Sequence, residues 1–194
     1  VGIREDLDVH FSVPSPDIYA DVDVTAKSAL TVPPIAPNAS NHEIARLSAQ
    51  VVERLSFLRP GEHAFSPRAL QEMPKRLHIN TRTTISTTYK RLEPDKPSYT
   101  VTGGGGGGSY IYHWILNRAL TNRERARLQT FPDDFIFQGL KESVRKQIGM
   151  AVPVQGATAI FAALFKSFAG ISYPSIEPNI EFENAFAPER AHAA

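Results

Sequence analysis

A wide apolar stripe near the carboxyl end constrains the fold of this chain more than any other feature. Residues 156–169 place apolar side chains at the helical period, which predicts a helix over this range. The members of the stripe are Ala157, Ile160, Phe161, Leu164, Phe165 and Phe168. Because so broad an apolar face must be removed from water, the helix is expected to pack against a substantial partner surface.

Composition defines a globular protein without sulfhydryl chemistry. The 194 residues include no cysteine, and 42% of them are hydrophobic, which suffices for one domain or a domain with an appendage. Without cysteine, this chain cannot form a disulfide scaffold, a thiolate zinc site or a cysteine nucleophile, and it is compatible with a reducing cytoplasm. The six histidines lack metal-ligand spacing, and no membrane span is expected.

Charge is distributed unevenly although the net charge is only +1. Residues 1–23 are rich in acidic side chains, whereas residues 68–91 carry six basic side chains against one glutamate. The basic members are Arg68, Lys75, Arg76, Arg82, Lys90 and Arg91. Such a stretch can follow a phosphate backbone, but a solvated charged face is its more common meaning, so both explanations stay open.

The first half of the chain has a proline-rich connection followed by a helix and a β-rich unit. Five prolines in residues 14–38 are expected to prevent regular structure there. Ser40 and Glu43 then have capping-box spacing ahead of apolar residues at helical period up to Leu58, which predicts a helix. Residues 62–116 mix short β-branched runs with turn residues, which predicts short irregular strands.

A run of six glycines, Gly103 to Gly108, interrupts the β-rich unit. The simplest explanation is a flexible loop, because glycine loses the most backbone entropy on ordering. The alternative is a loop that lets the backbone approach a ligand or phosphate closely. A nucleotide P-loop is rejected, since no Gly-Lys-Ser/Thr ending follows the run.

A second capping-box spacing, Thr121 with Glu124, predicts a short helix over residues 122–130. It places Arg123 and Arg127 on one face. Arginines near a helix start oppose the helix dipole, so they are expected to meet a carboxylate or a phosphate. An internal ion pair with Glu124 is an equally simple explanation.

Four pieces of the sequence resemble DNA (cytosine-5) methyltransferases in order and spacing. Residues 123–135 read RERARLQTFPDDF and residues 147–153 read QIGMAVP, and they resemble the family's ninth and tenth motifs. Residues 1–7 resemble the strand after the eighth motif. Residues 91–92 and 97–103 resemble the target-recognition core. Together the pieces cover roughly 170 residues, which argues against a chance match.

The resemblance implies a mixed α/β fold with parts of two domains. Residues 39–145 would be a small β-rich target-recognition domain that binds DNA. Residues 146–175 would return, ending in a helix, to a Rossmann-like S-adenosylmethionine-dependent methyltransferase domain. Residues 1–38 would be the last strand of that catalytic domain and a connection, with the upstream sequence removed, and residues 176–194 a disordered tail.

The resemblance also implies DNA contacts and one wall of a cofactor site. The expected DNA contacts are Arg91, Thr100, Thr102, Gly103, Gly104 and Arg123. Arginine can bond guanine twice, threonine can bond a base or phosphate, and glycine permits close approach. A strand residue packed inside the small domain is the alternative for Thr100. The expected cofactor wall is Met150, Ala151 and Val152; where this chain has Met150 the family usually has asparagine, so only a backbone contact to S-adenosylmethionine is carried over.

The catalytic segments of that family are missing from the sequence. It has no Phe-x-Gly-x-Gly cofactor loop, no Pro-Cys loop and no Glu-Asn-Val segment. In the complete enzyme a cysteine thiolate adds to a flipped cytosine, and carbon 5 receives the methyl group. The chain alone is therefore expected to be inactive and to need a catalytic Rossmann-like half.

The function predicted from the sequence is target recognition and completion of the cofactor pocket in a cytoplasmic restriction–modification methyltransferase. The chain would be a truncated piece or one subunit of a split enzyme, with double-stranded DNA and the catalytic half as partners and no membrane. The alternative is a non-catalytic DNA-binding or regulatory protein. The apolar helix discriminates between them, because a stand-alone protein must cover that face internally, whereas a subunit exposes it.

Overall fold

A computed structural model describes residues 2–4, 6–80, 85–105 and 108–177. The chain divides into two compact units, one formed by Val1–Asp21 with Ala157–Ala194 and the other by Val22–Gly156. The regular elements are β1 (Val13–Pro14), α1 (Ala26–Thr31), α2 (Ala49–Ser56), α3 (Pro67–Glu72), α4 (Asn122–Leu128), α5 (Lys141–Met150), α6 (Val154–Phe168) and β2 (Ser175–Ile176). The predicted domain bounds at residues 38 and 145 stay a prediction.

The smaller unit is built on a short antiparallel pair. β1 pairs with β2 so that Val13 lies opposite Ile176. The Tyr173 hydroxyl donates to the Ser12 carbonyl at 2.8 Å and accepts from the Ser12 N–H at 3.0 Å, which extends the pairing by one step. In the described part of residues 2–12 there is no strand, so the strand expected at residues 1–7 is not found among its described residues. Ile176 lies in β2 rather than in a tail, and residues 178–194 lie outside the described part.

The larger unit contains two apolar clusters, and α4 lies in the first of them. Ala126 of α4 is fully buried there with Leu92, Val101 and Ile148 of α5. The second cluster gathers Leu55 of α2, Ala69 of α3, Met73, Leu77 and Tyr112. α4 contacts both α1 and α5, so it is the element around which this unit is packed.

Two predictions for the first half are wrong, one in the start of a helix and one in the absence of regular structure. The helix expected after Ser40 begins only at Ala49, where the Ser48 hydroxyl accepts the Val51 N–H at 3.4 Å. The earlier start fails because Asn41 has a φ of 64° and its carbonyl accepts the Arg123 N–H at 2.8 Å. Residues 14–38 are not free of regular structure either, since α1 fits between their prolines and is capped by Thr25.

The expected β-rich unit is also wrong in the described part of residues 62–116. The β pairing of its described residues is limited to isolated bridges, Arg91 to Tyr112 and Tyr112 to Ala119. Side-chain hydrogen bonds connect this region instead, since Arg91 donates to the Leu116 carbonyl and Tyr99 donates to the Lys90 carbonyl. Residues 83 and 84, part of one predicted strand, lie outside the described residues. The predictions for α4 with its capping box and for α6 are confirmed.

One described segment, Lys141–Phe168, is long enough to cross a membrane and contains an 18-residue stretch with a mean hydropathy of 1.7. The segment consists of two helices, however, because α5 ends at Met150 and α6 begins at Val154. α6 has 15 residues, fewer than the roughly 20 that cross a bilayer core, and α5 carries charged side chains. The composition is therefore weak evidence for a membrane helix.

Candidate functional site

The α4 capping box is part of a buried ion pair. The Thr121 hydroxyl accepts the Glu124 N–H at 3.1 Å, and the Glu124 carboxylate accepts the Thr121 N–H at 2.8 Å. The same carboxylate receives two hydrogen bonds of 2.7 Å from Arg118. Burial would raise the pKa of Glu124, but the bonds from Arg118 and Thr121 together hold it below its ordinary value. Glu124 therefore pairs with Arg118, and the predicted internal pair of Glu124 with Arg123 or Arg127 is wrong.

Two arginines of α4 join distant segments of the larger unit. Arg123 is fully buried and donates to the carbonyls of Ser40 at 3.0 Å, Pro132 at 3.1 Å and Phe135 at 2.7 Å. Arg127 makes two hydrogen bonds to Asp133 and one of 2.6 Å to the Pro33 carbonyl. Because its donors are used inside the protein, Arg123 is not placed where the sequence prediction of a DNA contact needs it.

Arg91 is likewise an internal residue. It is 2% exposed, and its guanidinium donates to the carbonyls of Leu55, His113 and Leu116 and to the Asn117 side chain. Burial lowers the pKa of Arg91, as expected for a cation without a carboxylate partner. The structure therefore does not offer this guanidinium to a guanine, and the expected contact has no support here.

Two of the six basic side chains of residues 68–91 are paired with carboxylates. Arg68 lies between Glu62 and Glu72, and Arg76 pairs with Glu53. Arg82 lies outside the described residues. The stretch thus favours the explanation of a solvated, internally paired face over a track for phosphates.

The expected DNA-contact residues Thr100, Thr102 and Gly104 are exposed, and Gly103 is half-buried. They are held by their neighbours, since Val101 is buried in the first apolar cluster and Arg125 donates to the Thr102 carbonyl. The exposure and absence of a strand at Thr100 count against the alternative of a packed strand residue. This segment, residues 99–105, is called the recognition segment below.

The recognition segment lies directly on α5. A Cβ atom built on Gly149 would fall 2.0 Å from the Gly103 nitrogen and 2.2 Å from the Thr102 carbonyl carbon. A Cβ on Gly103 would meet the Lys146 Cα at 3.2 Å. Glycine at position 149 is therefore required for the backbone of the recognition segment to reach the helix.

The expected cofactor wall, Met150 to Val152, is the break between α5 and α6. The side chains of Met150 and Val152 are largely exposed, and Ala151 is half-buried. The buried Gln129 side chain fixes the break by donating to the carbonyls of Ile148 at 3.0 Å and Ala151 at 3.2 Å. Sequence reasoning missed Gln129, whose only signal was its place in the RLQTFP string.

A cavity of about 880 Å³ in the larger unit joins these two segments. Tyr99, Thr100 and Val101 line it from the recognition segment, and Gly149 and Ala151 line it from α5 and the break. Residues 127–133 and parts of residues 22–33 complete the lining. The structure thus places one residue predicted to touch DNA, Thr100, and one predicted to touch the cofactor, Ala151, around one space.

The apolar face of α6 is exposed. Phe161, Phe165 and Phe168 are 57%, 69% and 50% exposed, and Ala163 is the one buried residue of this helix. The expected broad apolar face therefore exists, and the described part of the chain does not cover it.

His113 provides a prediction on stability. Its Nδ1 accepts the N–H groups of Ile115 at 3.1 Å and Leu116 at 3.2 Å, and burial followed by the charge of Arg118 lowers its pKa to about 4. The unfolded chain binds more protons than the folded chain between about pH 6.5 and 4, so stability should fall as the pH drops through this window.

Urea unfolding at several pH values measures the effect, with His113→Asn as control because its amide oxygen can accept the same bonds without titrating. The wild-type chain should lose more stability between neutral and acidic pH than the variant. An identical pH dependence would contradict the role of His113.

Comparison with known proteins identifies the family. The model of the family described as C-5 cytosine-specific DNA methylase matches residues 1–166. Type II methyltransferase M.BbvI of Brevibacillus brevis is 52% identical over 190 residues, which is 97% of this chain and 49% of that protein. M.NgoFVII of Neisseria gonorrhoeae is 37% identical over 87% of this chain and 45% of its own length. The chain therefore belongs to the C-5 cytosine-specific DNA methylase family.

A solved structure agrees. It is that of a candidate DNA modification methyltransferase encoded within a prophage (E. coli), with a TM-score of 0.50 and 27% identity over 68% of this chain and 30% of that one. The chain spans about half the length of the curated relatives it matches. Its fold is consistent with part of an α/β methyltransferase.

Proposed function

We propose that the chain is the target-recognition and cofactor-pocket-completing part of a DNA (cytosine-5) methyltransferase of a restriction–modification system. The cavity lined by Thr100 and Val101 on one side and Ala151 on the other carries this proposal. A cytosine methylase must bring a base of duplex DNA and S-adenosylmethionine to one place, and this is where the two predicted binding segments meet.

In this function Thr100, Thr102, Gly103 and Gly104 contact duplex DNA. Their exposure and the short side chains permit close approach to base edges or phosphates. Arg91 and Arg123 act as positioning residues of the larger unit, because their guanidinium groups donate to the main-chain carbonyls of Leu55 and Ser40 inside it.

The cofactor wall fits one side of S-adenosylmethionine. Met150 and Val152 have exposed apolar side chains, and Gln129 holds the neighbouring backbone in place. A ligand with an apolar stem and a flat ring requires such an apolar surface. When bound, S-adenosylmethionine supplies the methyl group. Within this chain, the backbone around Ala151 orients the cofactor and the apolar side chains exclude water from it.

The catalytic half is proposed to cover α6. No cysteine occurs in this chain, so the thiolate that adds to cytosine must come from another region or chain. Phe161, Phe165 and Phe168 present an exposed apolar face of the kind that marks an association surface. The matched relatives are about twice as long, which leaves room for a domain that packs there.

The test is methyl transfer from labelled S-adenosylmethionine to duplex DNA. This chain alone should be inactive, and mixing it with a separately expressed Rossmann-like half should give activity. Phe165→Ser should weaken this complementation, whereas Ile44→Ser, at an exposed apolar residue outside α6, should not.

Activity of this chain alone would overturn the proposal. DNA binding by the chain without activity on mixing would favour the alternative of a non-catalytic DNA-binding protein.

A further inference from the structure

Arg125 is a buried cation with few partners. It is 1% exposed, and its Nη2 donates to the Thr102 carbonyl of the recognition segment. Its Nε has no hydrogen-bond partner, and no carboxylate among the described residues forms an ion pair with it. Arg127, two residues along α4, is instead neutralised by Asp133. Within the described part of the chain, the charge of Arg125 thus has no counterion.

A second guanidinium lies under the same segment. The Arg145 Nε is 3.5 Å from the Gly103 carbonyl, and its guanidinium lies 5.3 Å from the centre of the Tyr110 ring. A Cβ on Gly105 would fall 2.0 Å from the Arg145 Cζ, so the glycine backbone rests on this group. Its carboxylate neighbour, Glu142, is 3.8 Å away with a side chain 84% exposed, which makes the pair weak.

The two cations share one poorly solvated space. Burial, followed by the charge of Arg145, lowers the pKa of Arg125 to about 10. Lys146, exposed next to Gly103, adds another positive charge at the edge of the segment. Because buried like charges disfavour each other, an anion placed over the segment would stabilise this arrangement.

We propose that Arg145, with Gly103 to Gly105 lying on it and the buried Arg125 adding positive charge beneath the segment, forms a binding site for a backbone phosphate of duplex DNA. Guanidinium groups match the oxygens of a phosphate, and glycines leave no side chain between the phosphate and the cations. The exposed Thr100 and Thr102 lie on the same segment, which places the site next to the predicted base contacts. The inference rests on the proposed function, because it presupposes DNA at the recognition segment.

The site acts without regard to sequence. A phosphate contact fixes the duplex beside the recognition segment and leaves discrimination between bases to other residues. The site also favours, for Gly103 to Gly105, the second explanation of the glycine run, in which the backbone approaches a phosphate closely.

The test is the salt dependence of duplex DNA binding by the chain, between about 50 and 200 mM salt. Arg145→Gln should reduce affinity roughly tenfold for duplexes of every sequence and reduce the slope of log affinity against log salt by about 0.9. Arg145→Lys keeps the charge and should restore most of the slope. Arg59→Gln removes one exposed arginine elsewhere and should leave both quantities nearly unchanged.

The outcomes separate this site from the proposed function. Binding by Arg145→Gln with wild-type affinity and slope would overturn the phosphate site while leaving DNA recognition intact. Loss on one target sequence only would also overturn it, because it would make Arg145 a base-reading residue. Absence of DNA binding by the wild-type chain would contradict the proposed function itself.

Discussion

Arg91→Met is expected to lower the free energy of unfolding by about 3–5 kcal/mol. The methionine side chain can occupy the volume of the arginine stem, so the loss reports on the hydrogen bonds. Removing the guanidinium leaves the carbonyls of Leu55, His113 and Leu116 without that donor. These carbonyls belong to α2 and to the loop after Tyr112, so the two regions lose their connection.

Urea unfolding measures the effect, with Arg76→Met as the matched control. Arg76 is an exposed arginine paired with Glu53, and an exposed ion pair contributes little to stability. The variant Arg76→Met should therefore unfold close to the wild-type midpoint, whereas Arg91→Met should unfold at a much lower urea concentration.

The same variant distinguishes the two roles considered for Arg91. A guanine contact would give a stable variant that loses about 1–3 kcal/mol of binding to one target sequence. A positioning residue gives an unstable variant whose binding to all sequences falls as its folded fraction falls. A stable Arg91→Met that discriminates targets poorly would show that the sequence prediction was right and the buried position misleading.

Local signals in the sequence predicted the helices whose ends are set locally. The capping box of Thr121 and Glu124 was correct because both partners lie within one turn. α6 was correct because its apolar period is long and unbroken. The start of α2 was not, since Arg123, about 80 residues further along, binds the segment at Ser40 and prevents a helix there.

The candidate site was only partly predictable from the sequence, because contacts between distant residues determine much of it, as they do the start of α2. The exposed threonines and the glycines of the recognition segment could be located from motifs, although their contact with DNA stays a prediction. The burial of Arg91 could not, because its acceptors come from positions up to 36 residues away. Nothing in the spacing of motifs indicated that Gly149 meets Gly103 or that Gln129 supports Ala151.

Gly149→Ala is expected to destabilise the larger unit by about 1–3 kcal/mol or more. The new Cβ would fall on backbone atoms of Thr102 and Gly103, which no side-chain rotation can move away. Either α5 or the recognition segment must therefore shift. Alanine favours a helix over glycine by about 1 kcal/mol, so the measured loss is what remains after this gain.

Gly156→Ala is the matched control, since it is the same change near the start of α6. Its Cβ would meet only the Pro153 Cβ, at 3.8 Å, which is ordinary van der Waals contact. This variant should be as stable as the wild-type chain or more stable. Equal stability of both variants would show that the segment and helix can separate at no cost.

The consequence for function follows from where Gly149 lies. It contacts the recognition segment on one side and directly precedes Met150, the start of the proposed cofactor wall, on the other. In the complete enzyme, Gly149→Ala should therefore weaken both DNA binding and S-adenosylmethionine binding, each measured by titration at a temperature where the variant is folded. If only one of the two affinities falls, the contact positions only the segment that binds that ligand. The shared cavity would then have no role in bringing the two ligands together.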